Sequence, residues 1–145
     1  MTRFLILACS QRKRPDASLL PAIERYDGPA FRVLQRYRHL TEDKGLIVYI
    51  LSAEYGLIPA SKQIPTYDRR MDSKRADQLR EDVAKKVRRA MLRGKPSEIL
   101  VCAGKTYLRA LAGLAENGCP LSFVTGGQGK KLASLKTWLY EGCPI

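Results

Sequence analysis

The sequence predicts an α/β fold, a three-layer sandwich built on a four-stranded parallel sheet. Two observations lead there. Phe4 to Ala8 (FLILA), Leu46 to Leu51 (LIVYIL), Glu98 to Ala103 (EILVCA) and Leu121 to Thr125 (LSFVT) are short, mostly apolar runs without strict alternation, as expected of strands covered on both faces. Between them, apolar residues recur at helical spacing, so strand and helix alternate along the chain. The 145 residues carry no repeat, low-complexity tract or linker and read as one domain, 1–145.

Each element has its own signals. Phe4 to Ala8 is followed at once by CSQRKR, whereas a secretory leader carries its charge before the apolar run, so this is a first strand. Asp27-Gly28-Pro29 opens a helix to about Leu40, because proline suits a first helical position. Phe31, Leu34 and Tyr37 form its inward stripe. Gly45 ends that unit and Leu46 begins the second strand. A long loop over Ser52 to Asp68 follows, and Asp72-Ser73 caps a helix to about Arg93. Ala76, Leu79, Val83, Val87 and Ala90 face inward there, and Gly94-Lys95-Pro96 stops it. Gly104 opens a helix with Tyr107, Leu108, Leu111 and Leu114 inward, closed by Asn117-Gly118. Gly126 to Gly129 leads into a last helix to about Tyr140.

Charge narrows the function. Lysine and arginine number 26 against 14 acidic residues, a formal net charge of +12. Such an excess attracts polyanions and speeds their encounter, which points to a nucleic acid or nucleotide partner. No apolar run is long enough to span a bilayer, so no membrane partner is expected and the cytoplasm is the expected location. Cysteines 9, 102, 119 and 143 form no Cys-x-x-Cys pair, and His39 is the one histidine. That set suits free thiols of a reducing compartment, with no metal or cofactor expected. Composition does not set an oligomeric state.

In parallel sheets, ligands lie beyond the carboxyl ends of the strands, where strand order reverses. The segments after each strand are therefore the candidate site. After the first strand, Cys9 is either a nucleophile or a strand-ending thiol, and the following loop with Lys13 suits an anion. After the second, SAEYGLIP turns at Gly56, which is expected to aim Ser52 and Tyr55 into the cleft. Tyr67 offers another ring for stacking, and Asp68 a carboxylate for a base edge or a water, or else a turn or helix cap. Gly104-Lys105-Thr106 lacks the phosphate-loop glycine five residues earlier, where Ile99 stands, which excludes that ATPase motif. A helix start with Gly104 and Lys105 still suits one phosphate. Gly126, Gly127, Gln128, Gly129 and Lys130 form the richer anion loop, or a plain flexible lead into a helix. Lys85, Lys86, Arg88 and Arg89 on the long helix suit a nucleic-acid backbone, or form a solvated face.

The motifs ACSQRK, ERYDGPAF, ILSAEYGLIPASKQIPTYD and GGQGKKLASLKTWL, taken together, resemble a bacterial and phage family of uncharacterised small domains. Its members read Cys-Ser-x-x-Lys, Leu-Tyr-x-x-x-x-Phe, Leu-Ser-Ala-x-x-Gly-Leu and Pro-Tyr-Asp in order. The resemblance spans nearly the whole chain. It sets Cys9, Ser10 and Lys13 on the first motif, and Ser52, Tyr55, Gly56, Tyr67 and Asp68 on the later ones. The same core is more distantly similar to the peroxide-stress protein YaaA family, associated with DNA binding. It is similar too to the archaeosine synthase domain, which acts on a deazaguanine base in transfer RNA. Both resemblances imply a uracil-DNA-glycosylase-like fold. Uracil-DNA glycosylases carry a histidine in a late loop, whereas His39 here falls in a predicted helix.

The expectation is a nucleic-acid-associated domain whose cleft recognises a nucleobase or nucleotide. Base-modifying or base-releasing chemistry would use Cys9 as nucleophile or Asp68 as general base. The alternatives are a noncatalytic DNA- or RNA-binding module and an enzyme acting on small nucleotides.

Overall fold

A computed structural model of the chain describes residues 2–10, 12–111, 119–124 and 127–141. Strand β1 (Arg3–Ala8) lies at the centre of the main sheet. It pairs in parallel with β3 (Leu46–Ser52) on one side and β6 (Glu98–Cys102) on the other, and β6 pairs in parallel with β7 (Leu121–Phe123). The four expected strands are thus present and mutually parallel, although Val124 lies beyond β7.

A fifth strand corrects the four-stranded, all-parallel expectation. Ser52 pairs with Gly56 across a short turn, and β4 (Gly56–Pro59) runs back antiparallel along β3, giving the order β4-β3-β1-β6-β7. Gly56 has φ +73, a left-handed conformation that glycine adopts without strain. Leu57 and Ile58 are buried, one toward each face of the sheet. Pro59 ends the edge strand, the one place in a sheet that tolerates a missing donor.

Both faces of β1 are covered, which is why its sequence does not alternate. Leu5 and Leu7 pack with Phe31, Leu34 and Tyr37 of α2 (Pro29–Leu40) and with Leu135 and Leu139 of α5 (Gln128–Glu141). Phe4 and Ile6 pack with Ala76, Leu79, Val83, Val87 and Ala90 of α3 (Ser73–Gly94). Asp72 caps α3 as expected, its Oδ1 accepting from Arg75 N–H at 2.7 Å. Its far end stops at Lys95, which takes the left-handed conformation at φ 41. The short helix α4 (Lys105–Leu108) follows β6 and runs into a 3-10 turn over Arg109–Leu111. The stretch 112–118, including Leu114 and Asn117-Gly118, lies outside the described residues.

The segments flanking the sheet are not plain loops. Strand β2 (Leu20–Pro21) pairs antiparallel with β5 (Gln63–Ile64), tying the segment after β1 to the segment after β4. Helix α1 (Ala22–Arg25) follows β2 directly. The chain leaves β1 toward β3 and later returns to the other side of β1 as β6. The order therefore reverses between β1 and β6, and their carboxyl ends frame the crevice where ligands gather in such sheets.

Candidate functional site

Cys9 stands at one wall of that crevice. Its N–H donates to Leu51 O at 2.9 Å, extending the β1 ladder by one residue, and its thiol is half-buried. Sγ lies 3.2 Å from the hydroxyl of Tyr107, which α4 supplies from the opposite wall after β6. Tyr107 does not point only into the core, as its spacing suggests. Helix α4 begins immediately beyond β6, and that start abuts the end of β1.

Lys13 reaches the same place. Its backbone forms an antiparallel bridge with Tyr26, flanked by bonds from Arg14 N–H to Arg25 O and from Asp27 N–H to Arg12 O, both 2.8 Å. The ammonium sits 4.5 Å from the Tyr67 ring centroid and 5.8 Å from that of Tyr26, a cation held over aromatic faces. Burial lowers the pKa of Lys13, and the neighbouring Cys9 and Asp68 oppose that shift. Ser10 donates to Arg12 O at 2.7 Å and packs so closely on Gly28 that a Cβ there would lie 2.7 Å from its own Cβ. Glycine at position 28 lets the first loop lie against the start of α2.

A hydroxyl cluster completes the site. Tyr67 meets Tyr26 oxygen to oxygen at 2.6 Å and Ser52 at 2.9 Å. Its ring stands edge-on to Tyr55, with centroids 5.6 Å apart, and to Tyr26 at 6.2 Å. Burial pushes the Tyr26 phenol up to about 12, and burial also raises Tyr67 and Tyr107. All three stay protonated, and hence able to donate, across the physiological range. Among the described residues no group of three or more His, Cys, Asp or Glu side chains is placed to hold a metal ion.

This geometry belongs to a sequence that known proteins help to place. The model of DUF6884, a family of unknown function, matches residues 4–137. The chain belongs to that family. No curated protein matches the sequence. The fold is similar to the crystal structure of AF0587, a protein of unknown function, with a TM-score of 0.57 at 12% identity. That match covers 94% of this chain and 44% of the other, so the chain spans less than half of the solved protein.

In this DUF6884 member the predicted residues separate into groups. Cys9, Lys13, Tyr55 and Tyr67 converge at the crevice, with Asp68 exposed and felt electrostatically by Lys13. Ser52 does not face open cleft. It is fully buried, and its Oγ accepts from the N–H groups of Glu54 and Tyr55, both at 3.1 Å, while meeting Tyr67. Ser52 is thus a turn former that positions Tyr67, and Gly56 is buried as the glycine of the same turn. Tyr67 does not present a bare stacking face, because Lys13 covers one side and Tyr55 and Tyr26 meet its ring at T-shaped angles. Gly104 caps α4, and Lys105 is exposed beside it. A single turn of helix carries too little dipole for that start to hold a phosphate unaided.

Gly127, Gln128, Gly129 and Lys130 are exposed at the start of α5, and a Cβ at Gly127 or Gly129 would meet nothing within 4 Å. Close packing of the described residues does not require those glycines. Gly126 lies outside the described residues, as does Cys143. Lys85, Arg88 and Arg89 are exposed on α3 without an ion pair among the described residues, and Lys86 pairs with Asp82 at 3.1 Å. They lie on the helix that covers the Phe4 and Ile6 face, whereas Tyr26, Tyr55 and Tyr67 pack with the Leu5 and Leu7 face.

Tyr26 and Arg25 are the residues that sequence spacing passes over. The Arg25 guanidinium is fully buried, donating to the carbonyls of Arg14 (2.6 Å), Asp16 (3.0 Å), Ser18 (2.5 Å) and Ile64 (3.3 Å). It pins the segment after β1 to β5. Arg75 does similar work from α3, donating to Ala53 O at 2.7 Å and Glu54 O at 2.9 Å. A separate open depression of about 860 Å³ lies near the end of α2, lined by residues such as His39, Glu42, Asp43 and Lys44. It contains none of the crevice side chains.

Proposed function

We propose that the crevice between the carboxyl ends of β1 and β6 recognises a nucleobase or nucleotide of a nucleic acid, with Cys9 as the group placed to act on it. The convergence of Cys9, Lys13, Tyr67 and Tyr107 from separate chain segments at the reversal point carries this reading. Phenol rings, fixed hydroxyls and an ammonium suit a flat heterocycle with polar edges beside a phosphate. The net charge of +12 supplies the long-range attraction. The finer assignment of the fold as uracil-DNA-glycosylase-like, and the likeness to the YaaA and archaeosine synthase families, rest on the sequence motifs and are part of the proposal. So are the single domain over 1–145 and the cytoplasmic location. Asp68, close enough to Lys13 to influence it, is the candidate general base.

A thermal-shift screen of nucleobases, nucleosides, nucleotides and short oligonucleotides tests the reading. A ligand at 100 times its Kd adds about 2.7 kcal/mol of stability. That corresponds to a Tm rise of roughly 5–10 °C in a chain of this size. Stabilisation that Cys9→Ala retains and Tyr67→Ala loses supports a base pocket. Stabilisation by free nucleotides alone supports a small-nucleotide enzyme. No stabilisation by any member of the series refutes the proposal.

A second reading rests on the exposed cations of α3. A noncatalytic module would bind through Lys85, Lys86, Arg88 and Arg89, with a steep salt dependence. Glutamine at those four positions would then weaken binding more than Tyr67→Ala does, and the reverse ranking rejects this reading.

A further inference from the structure

The chain has one histidine, His39, and it lines the separate depression near the end of α2, so no imidazole stands beside Cys9. The Cys9 sulfur instead lies 3.2 Å from the hydroxyl of Tyr107. Cys9 packs with the Leu5 and Leu7 cluster, and the Tyr107 ring with the Phe4 and Ile6 cluster, so the contact joins the two layers at the carboxyl edge of the sheet. Helix α4 starts at Lys105, shortly after β6, and that start brings the phenol to the end of β1. Lys13 of the first loop, Tyr26 at the end of α1 and Tyr67 after β5 also interact electrostatically with Cys9. Among these groups Lys13 is the one cation.

The direction of the Cys9–Tyr107 bond depends on the state of the sulfur. With the thiol protonated, either atom can donate. A thiolate holds no proton and can only accept, so there the bond runs from Tyr107 to sulfur. Burial raises the Tyr107 phenol, which therefore keeps its proton through the neutral range and stays a donor. A bond to an ionised acceptor is roughly twice as strong as one between neutral groups. The contact therefore favours the thiolate, the nucleophilic form of cysteine. Tyr107 cannot take the thiol proton, because it carries its own. Its part differs from that of imidazole in a cysteine–histidine pair, which acts as a base.

We propose that Tyr107 is the positioning residue of a Cys9 nucleophile, holding the thiolate by donation from its hydroxyl while the thiol proton goes to water. This rests on the reading of Cys9 as the group placed to act, and adds to it the partner that makes the sulfur reactive.

Alkylation of the full chain by iodoacetamide tests the pair without a nucleobase. Sulfur forms the bond to the methylene carbon, the carbon–iodine bond breaks and iodide leaves. Peptide mass spectrometry follows Cys9 and Cys119 separately. The Cys119 thiol, which burial pushes up, is the internal reference. Tyr107→Phe keeps the ring and is expected to slow alkylation of Cys9 about tenfold near pH 7, as for one lost bond to a charged group. The two rates are expected to converge by about pH 10, where ionisation no longer limits either. The Cys119 rate should be the same in both proteins. A purely structural role for Tyr107 would change the Cys9 rate at every pH, or leave it unchanged, and either outcome overturns the proposal. The parent alone gives a second check should the variant fail to fold. Near neutral pH its Cys9 is expected to react at least about tenfold faster than Cys119, and a Cys9 no faster than Cys119 overturns the proposal. The thermal-shift series above fails separately: no stabilisation there rejects the nucleobase reading and leaves the Cys9–Tyr107 pair standing.

Discussion

Removing one hydroxyl from the tyrosine pair tests whether this cluster is a fixed scaffold. Tyr67→Phe deletes the contacts at 2.6 Å to Tyr26 and 2.9 Å to Ser52. It leaves the ring, and with it the cation over the face at 4.5 Å and the edge contact to Tyr55. The buried Ser52 hydroxyl loses a hydrogen-bond partner, a loss that costs about 1–3 kcal/mol. Tyr26→Phe deletes the shared bond and the hydroxyl's interaction with Ser52, and costs about 1 kcal/mol. Because both variants remove that one bond, the double variant is expected to fall short of the summed losses by roughly 0.5–1.5 kcal/mol. Urea unfolding measures all three. With a slope of about 2 kcal/mol/M, a loss near 2 kcal/mol shifts the midpoint by roughly 1 M. A Tyr67→Phe midpoint within about 0.2 M of the parent, or strict additivity in the cycle, refutes the reasoning.

Other expectations follow from the same geometry. Asp43 accepts from Arg3 at 2.8 Å and Tyr37 at 2.6 Å; burial pushes its carboxyl up, but these donors and the Gly45 N–H outweigh burial and hold it below the usual range. Asp43→Ala is expected to cost about 3 kcal/mol in urea unfolding, since it removes the counter-charge of a nearly buried guanidinium. The folded pKa is depressed, so the Asp43 contribution is complete above pH ~5 and fades as pH falls through the folded value. The gap between parent and Asp43→Ala should therefore close in acid, and a gap that widens there contradicts the ion-pair account. Lys95→Gly relieves the left-handed residue at φ 41 and is expected to stabilise by about 1 kcal/mol by thermal melt; destabilisation would show that Lys95 is held for another reason. Asp72→Ala removes the cap on Arg75 N–H at 2.7 Å and is expected to cost about 1 kcal/mol in the same assay, whereas Asp72→Ser should recover most of it.

Sequence patterning gave the frame of this fold because the relevant signals are local. The four parallel strands, the proline start of α2 and the Asp72 cap each show within a few residues. Strand β4 was not legible, because Gly56–Pro59 is short and ends in proline, and only its pairing to β3 makes it a strand. Of the site, Cys9, Lys13 and Tyr67 were legible as residues that follow strands or share a motif. Their mutual contacts were not, because those depend on how β2 and β5 pair. Ser52 shows the limit most clearly. A serine after a strand suits ligand contact equally well in sequence, and only the two turn amides at 3.1 Å reveal that its oxygen is already occupied. Tyr107 fits a helical stripe, and no periodicity indicates that its hydroxyl ends beside a thiol from position 9.

The ordering of the two long segments explains why a guanidinium is buried without a carboxylate. Each ordered backbone residue costs roughly 1–2 kcal/mol of conformational entropy, and the described residues between Cys9 and Leu19 form no helix or strand to offset it. Arg25 gathers the carbonyls of Arg14, Asp16 and Ser18 and joins them to Ile64 across the β2–β5 pair. A carboxylate could satisfy the charge, but it would occupy the guanidinium fork and release those carbonyls. Carbonyl acceptors instead turn the charge into a clamp on backbone. The clamped backbone is the one that carries Lys13 and bridges to Tyr26, and the Lys13 ammonium lies over the Tyr67 ring. The cation is buried outside the crevice and the groups inside it are already in place, so under the proposed function ligand binding need not supply the energy of ordering them.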